Sequence, residues 1–264
     1  TIYPLIIEAL TTKKISVGEP YFNSTVIPIM IPAIIIMGVG PILSCEKDKK
    51  LLIVKKILPN IFFTIILTSG ILFFYKSINL AGMLGSFLAF WIITNNLTLI
   101  LRKNKKHSKS MLISHLGIGL LILGITGSSV WQNEKISKME IGDKIIVQNY
   151  KILFNEIEEI KGPNYLALRG NFLVYDQKNK LITNLNPENR YYIISNSFTT
   201  EASIDTNLLR DLYIVLGEGN LNEGWTVRVY HNPLVAWIWI GVFIIFLGGL
   251  ISLKSNLKSI KFLS

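Results

Sequence analysis

Five apolar stretches, each long enough to cross a lipid bilayer, constrain this chain more than any other feature. A helix needs about 20 mostly apolar residues to span the roughly 30 Å hydrocarbon core. Of the 264 residues, 50% are hydrophobic, which is too many for an ordinary soluble domain. The sequence therefore predicts five transmembrane helices, at 25–44, 57–75, 79–101, 111–131 and 233–253.

The long insertion between the fourth and fifth spans has a different pattern. Residues 132–232 alternate apolar and polar side chains with period two, which is typical of half-buried strands. We predict an all-β domain, a sandwich or a barrel, with a short helix near 206–212. The fold class is therefore an α-helical transmembrane bundle with an inserted extracytoplasmic all-β domain. Because the first residue is Thr1 rather than methionine, we expect a fragment or a processed product.

The distribution of charge predicts the orientation of the chain. Residues 132–232 carry 11 basic and 13 acidic side chains, a net charge of −2, which leaves +12 for the rest. Most of these basic residues lie in the loops 45–56 and 102–109 and in the tail 254–264, and cytoplasmic loops are enriched in Lys and Arg. Residues 1–24 and 132–232 then lie on the other side. This pattern indicates a membrane protein and argues against nucleic-acid binding.

Few side chains in the sequence carry reactive chemistry. Cys45 is the only cysteine, so the chain has no CxxC pair with which to exchange dithiols. His107 belongs to a basic loop, and His231 lies where the β domain meets the last span, where we expect interfacial packing. Arg210 and Asp211 form either a docking pair or a surface ion pair.

His115 is the ionisable side chain that most needs an explanation, because it lies five residues inside the fourth span. Burying a polar group without a partner costs roughly 2–7 kcal/mol. Three interpretations remain open: a hydrogen bond to a neighbouring helix, a proton relay, and ligation of a metal or haem. A relay is disfavoured because the five spans contain no Asp or Glu. The three histidines are far apart, so any second metal ligand must come from elsewhere.

Depth along the helices suggests neighbours for this imidazole. Asn96 and His115 each lie about five residues inside their spans, roughly 7 Å into the membrane at about 1.5 Å per residue. Asn95 is adjacent, and we expect one of the two amides to accept a hydrogen bond from the imidazole. Gly119 is one turn from His115 on the same face, which we interpret as space for a flat macrocycle.

Several motifs occur in an order that resembles one family. They are "KISVGEPYFN" (14–23), "MLISHLGIGLLILGI" (111–125), "GPNY" (162–165), "TEASID" (200–205), "RDLYIVLGE" (210–218) and "VRVYHNPLVAWIWIG" (227–241). Together they resemble the C-terminal portion of the CcmF family, the haem-handling membrane subunits of cytochrome c maturation. The resemblance covers essentially the whole chain.

The resemblance implies a function for the chain. CcmF-type proteins receive haem from a haem chaperone and attach it to apocytochrome c, together with a thiol-handling complex. An intramembrane haem b, held by two helix histidines, is thought to reduce that haem, with electrons from a quinol-type donor. His115 occupies the "HLG" setting of one of these ligands. The resemblance places such proteins in the bacterial, or mitochondrial, inner membrane, with the β domain on the periplasmic or intermembrane side.

The chain also departs from the family pattern. The tryptophan-rich haem-binding segment and the second haem b ligand have no counterpart here, so we expect them in a missing N-terminal part or in a partner chain. The chain alone is then not expected to be an active haem lyase. The main alternative is a non-redox membrane scaffold whose β domain recruits partners, with His115 merely hydrogen-bonded. A permease fragment is disfavoured by the absence of intramembrane carboxylates.

Overall fold

A computed structural model of the chain describes residues 2–11, 18–43, 50–101 and 108–261. Cys45 and His107 lie outside these ranges. By their contacts, the residues form two compact units. The first unit comprises residues within 1–67, 87–119 and 245–264, and the second comprises 68–86 and 120–244.

The described residues form six α-helices, five of which are long and apolar enough to cross a membrane. They are α1 (Ile2–Thr11), α2 (Glu19–Leu43), α3 (Lys50–Tyr75), α4 (Leu80–Leu101), α5 (Lys109–Val130) and α6 (Val235–Lys261). Helix α1 is too short to span. A helix satisfies its backbone hydrogen bonds internally, which is what a lipid environment requires. Large apolar side chains such as Ile36 and Phe73 are exposed on these helices, as lipid-facing residues would be.

A polar network joins α3 to α4 inside the first unit. The Asn60 side-chain amide donates to Asn95 Oδ1 at 2.9 Å, and the Thr98 hydroxyl donates to Asn60 Oδ1 at 3.1 Å. The hydroxyls of Thr64 and Thr94 are 2.9 Å apart. Without a hydrophobic driving force between helices in lipid, such interhelical hydrogen bonds help to fix the packing.

Small residues let other helices of the first unit approach closely. A Cβ at Gly38 of α2 would clash with the indole of Trp91, whose N–H donates to the Ile35 carbonyl at 3.2 Å. A Cβ at Gly248 of α6 would clash with the hydroxyl of Ser114 on α5. These contacts hold α2 against α4 and α5 against α6.

The helical part of the second unit packs in the same way. Gly85 of α4 lies against Thr126 of α5, and a Cβ at Gly82 would lie 3.2 Å from Trp131 Nε1. The Trp131 ring stacks on that of Tyr75, with centroids 4.4 Å apart. The ends of α3, α4 and α5 that carry these residues therefore pack together at the point where the chain enters the β domain.

The β domain consists of two antiparallel sheets. The strands are β1 (Asn133–Met139), β2 (Lys144–Val147), β3 (Tyr150–Lys161), β4 (Tyr165–Tyr175), β5 (Leu181–Leu185), β6 (Glu188–Tyr192), β7 (Ser197–Glu201), β8 (Ser203–Thr206), β9 (Arg210–Asn220) and β10 (Gly224–Pro233). One sheet has the order β1-β10-β9-β8, and the other has the order β2-β3-β4-β6-β7, with β5 also paired to β4. Their inner faces form a core that includes Phe154, Phe172, Ile214 and Trp225.

The predicted short helix near 206–212 is wrong. Residues 207–209 form a bend between β8 and β9. The Asn207 side-chain oxygen accepts hydrogen bonds from the backbone N–H groups of Leu209 and Arg210, at 2.8 and 2.9 Å. An asparagine that bonds its own backbone two residues on forms a turn, which competes with helix.

Candidate functional site

His115 lies on α5 in the first unit, half-buried among the helices. Its Nδ1 atom is buried and has no hydrogen-bond partner among the residues that the structure describes. A buried polar atom without a partner is destabilising by about 1–3 kcal/mol in proteins. The imidazole is thus suited to a partner outside those residues, and a metal-bound group is one that imidazole commonly binds.

The contacts of α5 explain how the imidazole is positioned. A Cβ at Gly119 would lie 2.6 Å from Ile93 Cγ1 and 3.1 Å from the Ala89 carbonyl oxygen of α4. The interpretation of Gly119 as open space for a macrocycle is therefore wrong, because α4 occupies that space. Instead, Gly119 lets α4 and α5 pack closely, and this contact together with the one at Gly248 fixes α5 on two sides.

The two predicted asparagines differ in their partners. Asn95 is fully buried, donates to the Trp91 carbonyl at 2.7 Å and accepts from Asn60. Asn96 donates to the Ile92 carbonyl at 2.9 Å, but its buried Oδ1 has no partner within the described ranges. None of the hydrogen bonds found among these residues joins either amide to His115.

The level of Asn96 along the bundle is close to that of His115. Helices α4 and α5 run antiparallel, since Gly85 meets Thr126 while Gly119 packs against Ala89 and Ile93. One turn from Gly119 towards the start of α5 reaches His115, and the same step along α4 reaches residues 95–97. Two buried polar atoms without partners, His115 Nδ1 and Asn96 Oδ1, therefore lie at one level on neighbouring helices.

Sequence reasoning missed Asn60, which determines the role of Asn95. A signal was present, because Asn60, Thr64 and Thr68 recur at four-residue spacing and so share one face of α3. All three are buried. Such a polar stripe on an apolar helix indicates a contact with another helix rather than with lipid.

A second polar cluster closes the end of the β sandwich next to α6. The Arg210 guanidinium donates to the Tyr150 hydroxyl at 3.0 Å and to the Asp205 carbonyl at 2.7 Å, and it also contacts the Asp205 carboxylate. The side chain of Arg210 is buried, so the interpretation of Arg210 and Asp211 as a docking pair or a surface ion pair is wrong. The His231 ring lies beside that of Tyr150, with centroids 5.8 Å apart.

His231 makes this cluster sensitive to acid. Burial lowers the pKa of His231, and the positive charge of Arg210 adds to the effect. The folded domain therefore holds the imidazole neutral, whereas the unfolded chain binds a proton near the ordinary pKa of about 6.5. The resulting stability is present above that pH and is lost as the pH falls towards the lowered pKa.

We expect the melting temperature of the β domain to fall between pH 7.5 and 5.5, and His231→Gln to reduce that fall. The measurement is a thermal denaturation series of the full chain in detergent. His107→Gln is the control, since it removes a histidine from the basic loop. A pH dependence that is the same in His231→Gln and the wild type would contradict the assignment.

The described residues do not by themselves supply a complete metal site. Within 2–11, 18–43, 50–101 and 108–261, no three side chains of His, Cys, Asp or Glu come close enough together to hold a metal ion. A haem takes a single ring nitrogen from each ligating histidine, and the chemistry of His115 would suit it to such a site. A second ligand would have to come from elsewhere.

The β domain and the whole chain both resemble known proteins. A family model described as "CcmF C-terminal beta-sandwich" matches residues 130–233. The cytochrome c-type biogenesis protein CcmF of Pseudomonas aeruginosa is 31% identical over 94% of this chain, and that of Escherichia coli K12 is 32% identical over 96%. The chain spans 40% of the length of each.

A solved structure named "Cytochrome c Heme Lyase CcmF" superposes on the chain with a TM-score of 0.72 and 18% sequence identity. The match covers 95% of this chain and 41% of that one. At this identity it bears on the fold alone, and it confirms the predicted helical bundle with an inserted β domain.

Proposed function

The chain belongs to the CcmF family of cytochrome c-type biogenesis proteins, and on this premise we propose a function for it. His115 would be one of two imidazoles that hold an intramembrane haem b. The assembly that contains it would reduce haem before that haem is attached covalently to apocytochrome c. The observation that carries the proposal is the buried Nδ1 atom of His115, which has no partner among the described residues.

The helices of the first unit would prepare the imidazole for this role. Gly119 packs on α4 and Ser114 packs on Gly248 of α6, so α5 cannot rotate freely about its axis. A ligand held in one orientation loses less conformational freedom on binding. When bound, the haem that His115 helps to hold would supply one-electron transfer.

The rest of the assembly would come from other polypeptide. We propose that the second imidazole and the tryptophan-rich haem-binding segment belong to the N-terminal part of a CcmF-type protein. That part would be either continuous with this chain or a separate subunit. Further partners would be a haem chaperone, apocytochrome c with its thiol-handling complex, and a quinol donor. Purified from its host, the chain should retain such partners, which mass spectrometry can identify.

The β domain is proposed to lie on the periplasmic or intermembrane side of the inner membrane. The Lys- and Arg-rich loops 45–56 and 102–109 support this orientation, because both fall on the other side of the spans. Labelling of Cys45 by a membrane-impermeant thiol reagent from the β-domain side of intact vesicles would contradict it.

We propose that Asn96, rather than Asn95, accepts a hydrogen bond from Nε2 of His115, which leaves Nδ1 for the iron. Asn95 Oδ1 is already bound by Asn60, whereas Asn96 Oδ1 has no partner in the described part of the chain. An acceptor on the second nitrogen raises the basicity of a ligating imidazole. Asn96→Leu should therefore raise the midpoint potential of the bound haem and weaken its retention about tenfold.

Asn95→Leu is the matched control for this prediction. It breaks the bond to Asn60 and should destabilise the bundle, but it should leave the midpoint potential unchanged. Redox titration of both variants in the assembled complex separates the two effects. If Asn96→Leu keeps the wild-type band position and potential, Asn96 does not position His115.

A non-redox scaffold is the alternative function. In that case His115 is only a structural residue, and the β domain recruits partner proteins to the membrane. The exposed apolar side chains of the β domain favour this alternative, but they do not explain the imidazole. A reduced-minus-oxidised spectrum of the assembled complex discriminates the two, since the scaffold predicts no b-type signal.

A further inference from the structure

The end of the β sandwich that is farthest from α6 contains an open cleft of about 590 Å³. This volume lies within the range of roughly 300–1,000 Å³ that is typical of ligand pockets. The apolar side chains that line the cleft are Ile160, Leu166, Leu168, Tyr191 and Phe198. Gly217 and Gly219 of β9 line it as well.

The cleft begins where the residues of β9 stop filling the core between the two sheets. Up to Leu216, alternate residues of β9 fill the core between the sheets. Beyond Leu216, β9 contributes only Gly217, Glu218 and Gly219 to the cleft, and none of them offers an apolar side chain to the facing residues of β3, β4, β6 and β7. A Cβ at Gly217 or Gly219 would meet Thr226 or Trp225 of β10 rather than the cleft. The sandwich is therefore closed by its core at one end and open at the other.

Several apolar residues at this end remain exposed. Phe198 is 69% exposed and Leu166 is 46% exposed. The Phe198 ring lies 4.8 Å from that of Tyr191, its partner across β6 and β7, so the two form one apolar surface. A contiguous exposed apolar surface beside a pocket is typical of an interaction site.

Lipid is an unsuitable occupant because the cleft lies far from the membrane-spanning part of α6. Strand β10 leads into α6 at Pro233 and begins at Gly224, nine residues away. At about 3.3 Å per residue this is roughly 30 Å. Trp225 pairs with Gly219 at that far end, so the cleft lies a full strand length from the start of α6.

The neighbouring edge strand indicates an extended peptide rather than a compact ligand. Strand β7 is the last strand of its sheet, and all five of its residues are exposed. An edge strand presents backbone N–H and C=O groups that can pair with another strand. A peptide that pairs with β7 would place alternate side chains towards the cleft, since Phe198 of β7 lines it.

The β6–β7 hairpin that presents this edge is held in place by ion pairs. Glu188 is buried and accepts hydrogen bonds from Arg169 and Arg190, both at 2.8 Å. Burial alone would raise the pKa of Glu188, but the two arginines outweigh it and keep the carboxylate charged. The Arg190 guanidinium also covers the Tyr165 ring, with Cζ 4.5 Å from its centroid. The binding surface is therefore largely preformed.

The side chains that line the cleft carry a net negative charge, which favours an occupant with basic residues. Glu159 and Glu218 line it together with a single basic residue, Lys161. We propose that the cleft binds an extended segment of a partner protein in which apolar residues alternate with basic ones. The apolar residues would fill the cleft, and the basic residues would face the carboxylates. This inference uses residues of the β domain only and does not depend on the haem ligand.

The test is binding of fluorescent peptides to the full chain in detergent. One short peptide alternates leucine with lysine, and the second alternates leucine with glutamate. The wild type should prefer the lysine peptide by at least about tenfold. Phe198→Ser should weaken that binding about tenfold, because it removes the exposed apolar wall of the cleft.

Two further variants make the test specific. Ile194→Ser is the matched control, since Ile194 is 93% exposed on the same hairpin but does not line the cleft, and it should bind like the wild type. Glu218→Lys should weaken the lysine peptide and strengthen the glutamate peptide. Circular dichroism verifies that each variant is folded.

Three outcomes would overturn the proposal. One is equal binding of both peptides, and another is binding that Phe198→Ser leaves unchanged. The third is self-association of the wild type that Phe198→Ser abolishes, without peptide binding, which would make a second copy of the chain the occupant. None of these measurements involves haem, so failure here is distinguishable from failure of the proposed role of His115.

Discussion

His115→Ala is expected to abolish the b-type haem signal of the assembled complex. If His115 holds the haem as proposed, its removal would take away one of the imidazoles that retain the group. Within the described ranges, no three His, Cys, Asp or Glu side chains come together to form another metal site. The measurement is a reduced-minus-oxidised spectrum of the chain copurified with its N-terminal counterpart, together with the haem content per complex.

Two controls separate ligation from folding in that experiment. His231→Gln removes a histidine of the β domain and should leave the spectrum intact. Added imidazole should restore part of the signal in His115→Ala, because it can occupy the space of the deleted side chain. If His115→Ala retains the full porphyrin absorbance, His115 is not the ligand and the scaffold alternative stands.

Arg210→Met is expected to lower the free energy of unfolding of the β domain by about 3 kcal/mol, the range for removing one partner of a buried ion pair. Arg210 is only 3% exposed and binds Tyr150 and both the carbonyl and the carboxylate of Asp205. Without the guanidinium, the Tyr150 hydroxyl and the Asp205 oxygens lose this donor, and only partial access to water remains at the Asp205 side chain, which is 29% exposed. The loss of stability therefore comes more from leaving these partners without a hydrogen-bond donor than from losing the ion pair itself.

Urea denaturation of the full chain, followed by hydrogen exchange of the β9 amides, measures this loss. Arg228→Met is the matched control, because Arg228 is exposed on β10, and its effect should be within about 0.5 kcal/mol of zero. The double variant Arg210→Met/Asp205→Asn should recover part of the stability, since it also removes the unpaired charge. An Arg210→Met variant as stable as Arg228→Met would show that the cluster does not hold the domain together.

The fold class follows from the amino-acid sequence with little ambiguity. Apolar runs of about 20 residues have few alternatives to transmembrane helices, because the bilayer thickness sets their length. Period-two alternation in residues 132–232 likewise predicts strands, because side chains of a strand alternate between two faces. The 206–212 segment is the exception, since the side chain of Asn207 overrides a weak helical preference by bonding the backbone.

Partners of individual side chains depend on the packed chain. Periodicity shows which residues share a face, but it does not show which element that face meets. From the sequence, Asn95 and Asn96 are therefore equally suitable acceptors for the His115 imidazole. In the packed chain, Asn95 Oδ1 already accepts a hydrogen bond from Asn60 of α3. The space expected beside Gly119 is filled by Ile93, and the expected surface pair at Arg210 is a buried cluster. An imidazole inside an apolar helix can be recognised from the sequence as a candidate functional site, because burial of a polar group is costly wherever it occurs. Its neighbours are decided only by close packing between helices, to which residues far apart in the chain contribute.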